Sequence, residues 1–184
     1  MTFSAITSRP SRMALIVNVL LFQIGWFACV LGAAHGMPWA GAIAAAAIVT
    51  WHIAHAAQPQ RELALLVAAA VLGALFETFL VQTGWVSFNT GVLFEGAAPY
   101  WMVALWAIFA TTLNVSLRWL RPHPGLAALL GAVGGPAAYY AGTRLGALEF
   151  VAAGAALATI GIGWAILVPA LLGAAQRLDG YAQS

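Results

Sequence analysis

Five acidic residues, seven arginines and four histidines are all the strongly ionisable side chains in 184 residues. Any chemistry the chain performs has to be built from a very small set of groups. Glu77, in the run LGALFETFLVQTG, stands out because apolar residues surround it on both sides. A carboxyl in such a run is costly to bury unless it is paired or hydrogen-bonded, so it reads as a functional candidate. The cation expected nearest to it is Arg144, in YYAGTRLG, and the two are expected to share an outward-facing pocket. Glu95 would join them in meeting a polar headgroup. The alternative is that Glu77 is protonated or bonded to a hydroxyl such as that of Thr78, joining helices and nothing more.

A second group, Asn18, His52, His55 and Asn114, is expected to gather at the opposite depth. His52 and His55 are three residues apart and so fall on one helix face. They could supply half of a metal site, but no carboxylate or third histidine is expected at their depth; His123, in the inner loop, could approach, and His35 is on the far side. No metal site is therefore expected, and interfacial polar roles fit these residues as well. Gln23, Trp26, Trp106 and Trp164 fall in the middle of apolar segments. A buried indole needs a hydrogen-bond acceptor, and Gln23 could serve one of them. Aromatics at this spacing fit a ligand cavity, but a bulky core is the preferred reading, since aromatics at helical spacing are commonly packing.

These residues need elements to hold them, and composition says which. The chain is 63% hydrophobic and 7% charged, with a mean hydropathy of +0.92. A soluble domain carries about 25% charged residues, so this chain cannot cover a water-exposed surface. In a bilayer apolar side chains can face outward as well as inward, and helices satisfy their own backbone groups. The expectation is an all-α polytopic bundle of about six spans, over about 13–34, 38–57, 63–83, 100–119, 125–142 and 148–174. A leader at 1–12 and a tail at 175–184 would flank this single domain. The connection GWVSFNTGVLFEGAAP (84–99) is long and aromatic, and is expected to lie at the interface or partly re-enter the membrane.

Placing both termini in the cytoplasm puts Arg9, Arg12, Arg61, Arg118, Arg121 and Arg177 inside and only Arg144 outside, as the positive-inside rule prefers. The apolar run after Arg12 is too long, and interrupted by Asn18 and Gln23, to read as a cleaved signal. Small residues should mediate helix packing: Gly131, Gly135, Gly142 and Gly146, then Gly154, Ala158 and Gly161. The basic pI near 9.1 comes from scattered arginines with no lysine, which argues against nucleic acid as a partner. Cys29 stands alone, so no intrachain disulfide forms. No phosphate loop, no Ser-His-Asp arrangement and no paired-aspartate motif is present, so no cofactor is expected. Asn114-Val-Ser116 matches a glycosylation sequon but lies inside an expected span.

The segments NVLLFQIGWF (18–27), FETFLVQTGWVSF (76–88), PYWMVALWAIFATTLN (99–114) and GAVGGPAAYYAGTRLGAL (131–148) resemble an uncharacterised family, domain of unknown function 2878. The resemblance covers about residues 15–172. Its more specific parts are the Gly-Gly-Pro-Ala-x-Tyr-x-x-Gly stretch and the Trp-x-x-Phe-Ala run. It implies a compact bundle in the inner membrane of a bacterium, with an acid at the Glu77 position, where aspartate is the family's commoner choice. It carries over no activity and no catalytic residue. Association of the family with fatty-acid-modifying enzymes of the cyclopropane-synthase type implies membrane lipids and lipid-modifying enzymes as partners. The leading expectation is therefore a protein that binds or presents a lipid-like molecule. Solute transport is the first alternative; an enzyme comes after it, since no nucleophile, base and electrophile can be assembled from the residues present, and a structural or assembly role comes last.

Overall fold

The computed structural model describes residues 10–182, and Arg9 lies outside them. Six α-helices make up the bundle: α1 (Arg12–Ala34), α2 (Pro38–Ala54), α3 (Pro59–Gln82), α4 (Tyr100–Leu113), α5 (Pro124–Arg144) and α6 (Ala153–Arg177). Local chemistry sets their starts. The Ser11 hydroxyl caps α1 by accepting from the Ala14 N–H at 3.1 Å. Prolines 38, 59 and 124 open α2, α3 and α5, where the missing N–H costs no helix bond. Pro136 and Pro169 lie inside α5 and α6, which continue through them.

Three of the helices, α1, α3 and α6, are long and apolar enough to cross a membrane. The α4 helix, fourteen residues long, is buried rather than lipid-facing: ten of its residues are buried, and it packs on α1, α2, α3 and α6. It stops at Leu113 instead of continuing to Trp119. The Thr111 and Thr112 hydroxyls bond back to Ile108 and Phe109 carbonyls, and Leu117 N–H turns onto the Thr112 carbonyl. A single 3-10 turn, Arg118–Leu120, then leads into α5.

Close approaches fall where the chain supplies glycine. A Cβ on Gly41 would sit 2.5 Å from the Cys29 Cα, which lets α1 and α2 form a tight hairpin through Gly36 at φ +73°. Of the stripe expected on α5, Gly131 and Gly135 do meet α6, at the carbonyl and ring of Trp164, and Gly161 returns the contact near Ala132. Gly146 lies past the helix end with positive φ, Gly154 faces open space and Ala158 is exposed. The long 84–99 connection is pinned rather than loose. Its β1 strand (Val86–Ser87) pairs antiparallel with β2 (Glu149–Phe150) between α5 and α6, and for that reason α6 begins at Ala153. We call this the loop end of the bundle. The other, where the chain returns after α6, is the tail end.

Candidate functional site

Trp106 is the centre from which the site is built. It lies midway along α4, fully packed, and its indole N–H donates to Glu77 Oε1 at 2.9 Å. The Tyr139 hydroxyl of α5 donates to the same oxygen. Gly73, one turn before Glu77 on α3, makes room for the indole, because a Cβ there would come within 2.1 Å of the Trp106 ring. One face of α3 thus supplies both a notch for the ring and an acceptor for its N–H. Trp164 of α6 lies over Trp106 with ring centroids 4.9 Å apart, and Phe76 and Phe109 meet the Trp106 ring edge-on at 6.2 and 6.3 Å.

This aromatic wall faces a groove of about 570 Å³ between α1 and α5, floored by α4. Gln23, Trp26, Trp106 and Trp164, four of the residues singled out from the sequence, all line it. Its other walls include Phe22, Leu105, Gly134 and Ala138, so the surface offered is overwhelmingly apolar; Thr112, Ser116 and Tyr139 add the remaining polar atoms. Gln23 is exposed and, among the described residues, makes no hydrogen bond to an indole. Trp106 takes its acceptor from Glu77, and Trp164 Nε1 is buried without a partner among the described residues.

Glu77 does not pair with Arg144. Tyr139 is the α5 residue that faces it, and Arg144 lies five residues further on, about 7.5 Å along the axis and about 140° around it. Arg144 and Glu95 are both exposed, and neither lines the groove. Thr78 is occupied elsewhere, its Oγ1 accepting from the Ala98 N–H at 3.1 Å. The Glu77 carboxyl is therefore a buried fastening behind the wall: its Oε1 takes two donors and its Oε2 has no partner among the described residues.

The polar group at the tail end is assembled differently from the sequence expectation. A carboxylate does lie at the depth of His52: Glu62 Oε1 is 2.7 Å from His52 Nε2. The α3 helix starts at Pro59, four residues earlier than expected, so its first turn stands beside the last turn of α2. Asn114 donates to Glu62 Oε2 at 2.6 Å and the Gly180 N–H adds a third donor at 3.1 Å. His55, despite sharing a nominal face with His52, is exposed and turns its ring onto Trp51. Asn18 stands apart from this network and donates to the Thr111 carbonyl at 3.1 Å.

Glu62, Arg118, Arg121, Asp179, Tyr139 and Tyr181 were not legible as site residues. Arg118 and Arg121 both hold Asp179, at 2.9 and 2.8 Å, and Arg121 also donates to Asn114 Oδ1. Tyr181 folds back onto His52, donating its hydroxyl to the His52 carbonyl at 2.7 Å. One available signal was the four-residue spacing of Gly135 and Tyr139, which puts both on one face of α5. Among the described residues no cluster of three or more His, Cys, Asp or Glu side chains is suited to hold a metal ion.

An all-α bundle with three helices of membrane-crossing length and apolarity is the fold of a membrane protein. The chain belongs to the family described as protein of unknown function (DUF2878), whose model matches residues 15–170. Comparison with curated proteins and with solved structures finds no match.

Proposed function

We propose that the protein holds the apolar chain of a lipid-like molecule in the groove between α1 and α5. The observation that carries this reading is the groove itself: about 570 Å³, aromatic-walled, with Gln23, Thr112, Ser116 and Tyr139 as its few polar side chains. Sites of roughly 300–1,000 Å³ with a few convergent polar groups are the usual form of ligand pockets. A subunit that captures a water-soluble solute needs more polar lining than this. The α1 and α5 faces beside the groove carry Leu20, Ile24, Leu129 and Val133, all exposed, so a chain would enter sideways from lipid. Arg144 and Glu95 have no part in the binding, and Glu77 acts through the wall by fixing Trp106 and Tyr139.

The same reading makes the protein a six-span bundle of a bacterial inner membrane, with both termini inside and a role beside lipid-modifying enzymes. The arginine distribution supports that orientation.

Gly134 provides the test, because a Cβ there meets nothing within 4 Å and a larger side chain would project into the groove. Native mass spectrometry of protein released from mild detergent, with identification of bound molecules, should find a stoichiometric lipid or isoprenoid in the wild type. Gly134→Phe should lose it while keeping the unfolding midpoint. An empty wild type, or a water-soluble ligand in its place, overturns the reading.

A further inference from the structure

A second pocket, of about 310 Å³, opens at the tail end between α1, α2 and α4, away from the groove. Asn18, 7% exposed, lies in its wall. The Asn18 amide can be oriented in only one way: its neighbour Thr111 O, 3.1 Å away, is a carbonyl and can only accept, so Nδ2 must face it. Oδ1 then points elsewhere and is buried with no partner among the described residues. Buried acceptors are rarely left so.

Most of the other polar groups lining the pocket are already engaged. The Thr111 hydroxyl donates to Ile108, the His55 ring bonds the Trp51 carbonyl, and Ser11 Oγ caps α1. Tyr181 and His52 bond each other. The buried group left for an occupant is the Asn18 acceptor, flanked by aromatic faces: Trp51, 52% exposed with its ring 4.0 Å from that of His55, and Tyr181. Behind Tyr181 and His52 lies the Glu62 carboxyl. An acceptor oxygen set between aromatic faces suits a donor that carries positive charge.

We propose that this pocket binds a primary ammonium group, which donates an N–H to Asn18 Oδ1 and rests against Trp51. That chemistry is presented by the headgroup of an ethanolamine phospholipid and equally by a free small amine. The site is independent of the groove, because none of the residues that line the groove lines this pocket.

The test compares ethanolamine and choline phospholipids with identical acyl chains, offered to the whole protein in phosphatidylglycerol nanodiscs. Choline carries the positive charge but has no N–H to donate, and any occupancy of the groove by acyl chains cancels in the ratio. Native mass spectrometry should show the ethanolamine lipid retained on the order of tenfold over the choline lipid, the scale of one hydrogen bond from a charged donor. Asn18→Leu should bring the ratio close to one. Trp51→Ala, a change at an exposed side chain that does not burden folding, should lower it several-fold. Displacement by millimolar free ethanolamine identifies a soluble amine as sufficient, and resistance to it identifies the lipid headgroup. Equal retention of the two lipids by the wild type overturns the proposal, and so does a preference that both variants leave unchanged.

Discussion

His52 Nε2 and Glu62 Oε1 stand 2.7 Å apart, both side chains buried, and so join the last turn of α2 to the first turn of α3. The pair is the centre of a larger fastening. Asn114 from the end of α4 and the Gly180 N–H from the returning tail complete the Glu62 carboxyl, and Tyr181 closes over His52. Three helix ends and the tail thus converge on one acid. A buried carboxyl with this many donors keeps the tail docked only while all of them are met.

Removing the acid from this cluster should therefore be expensive. Glu62→Gln places an amide NH₂ where a carboxylate oxygen faced donors, leaving His52 or Asn114 unmatched. Breaking one side of a buried pair costs about 3–5 kcal/mol. Thermal unfolding in detergent should show the loss, and limited proteolysis should cut the tail after Arg177 faster than in the wild type. A variant as stable as the wild type would show that the tail docks without Glu62.

Glu77 should behave differently, since its Oε1 only accepts and its Oε2 has no partner among the described residues. Glu77→Gln keeps the acceptor for Trp106 and Tyr139 and should change stability by less than about 1 kcal/mol. Glu77→Leu strands two buried donors at about 1–3 kcal/mol each. Unfolding midpoints, read beside the tryptophan emission of each variant, separate the two. Equal damage from both variants would mean that the charge, rather than the acceptor, is required.

Gly73 tests the packing of the same wall. Alanine there would drive a Cβ to 2.1 Å from the Trp106 ring, and the ring cannot retreat without leaving Glu77. Overpacking of this kind costs about 1–3 kcal/mol. Gly134→Ala, on a helix with open space above it, should instead be neutral or stabilising by up to about 1 kcal/mol. Chemical unfolding of the two variants side by side checks the contrast.

How far these relationships were legible follows from their range in the chain. Glu77 and the mid-segment tryptophans stand out because an acid or an indole amid apolar residues needs a partner, whatever the fold. The partner itself is a matter of rotation: Tyr139 and Arg144 are separated by about 140° on α5, and composition cannot say which faces α3. Glu62 was hidden by its position, three residues after Pro59, where an acid ordinarily serves the helix N-terminus and stays in water. The early end of α4 was hidden too, since Val115, Leu117, Trp119 and Leu120 keep apolar residues coming past Asn114. Its stop depends on Glu62 and Leu178, 52 and 64 residues away along the chain. Long-range polar contacts of this kind leave no periodicity to read.

The tail fastening carries its own dependence on pH through Tyr181, which lies beyond the last helix. Burial pushes its phenol above the ordinary value of 10.0, and the negative charge of Glu62 pushes it further in the same direction. The docked tail therefore disfavours the phenolate. Below about pH 10 the phenol is neutral whether the tail is docked or free, and docking has its full strength. Above that pH the free tail loses its proton while the docked tail keeps it, so docking weakens as pH rises through the interval between the two values. Ultraviolet titration of tyrosinate, taken as the difference between wild type and Tyr181→Phe, should place the Tyr181 inflection clearly above 10. The variant should be less stable at neutral pH, because the bond to His52 is gone, yet it should lack the Tyr181 share of the alkaline loss. An inflection at or below 10 would mean that Tyr181 stays in water and that the tail is held by its other contacts, through Leu178, Asp179, Gly180 and Ala182.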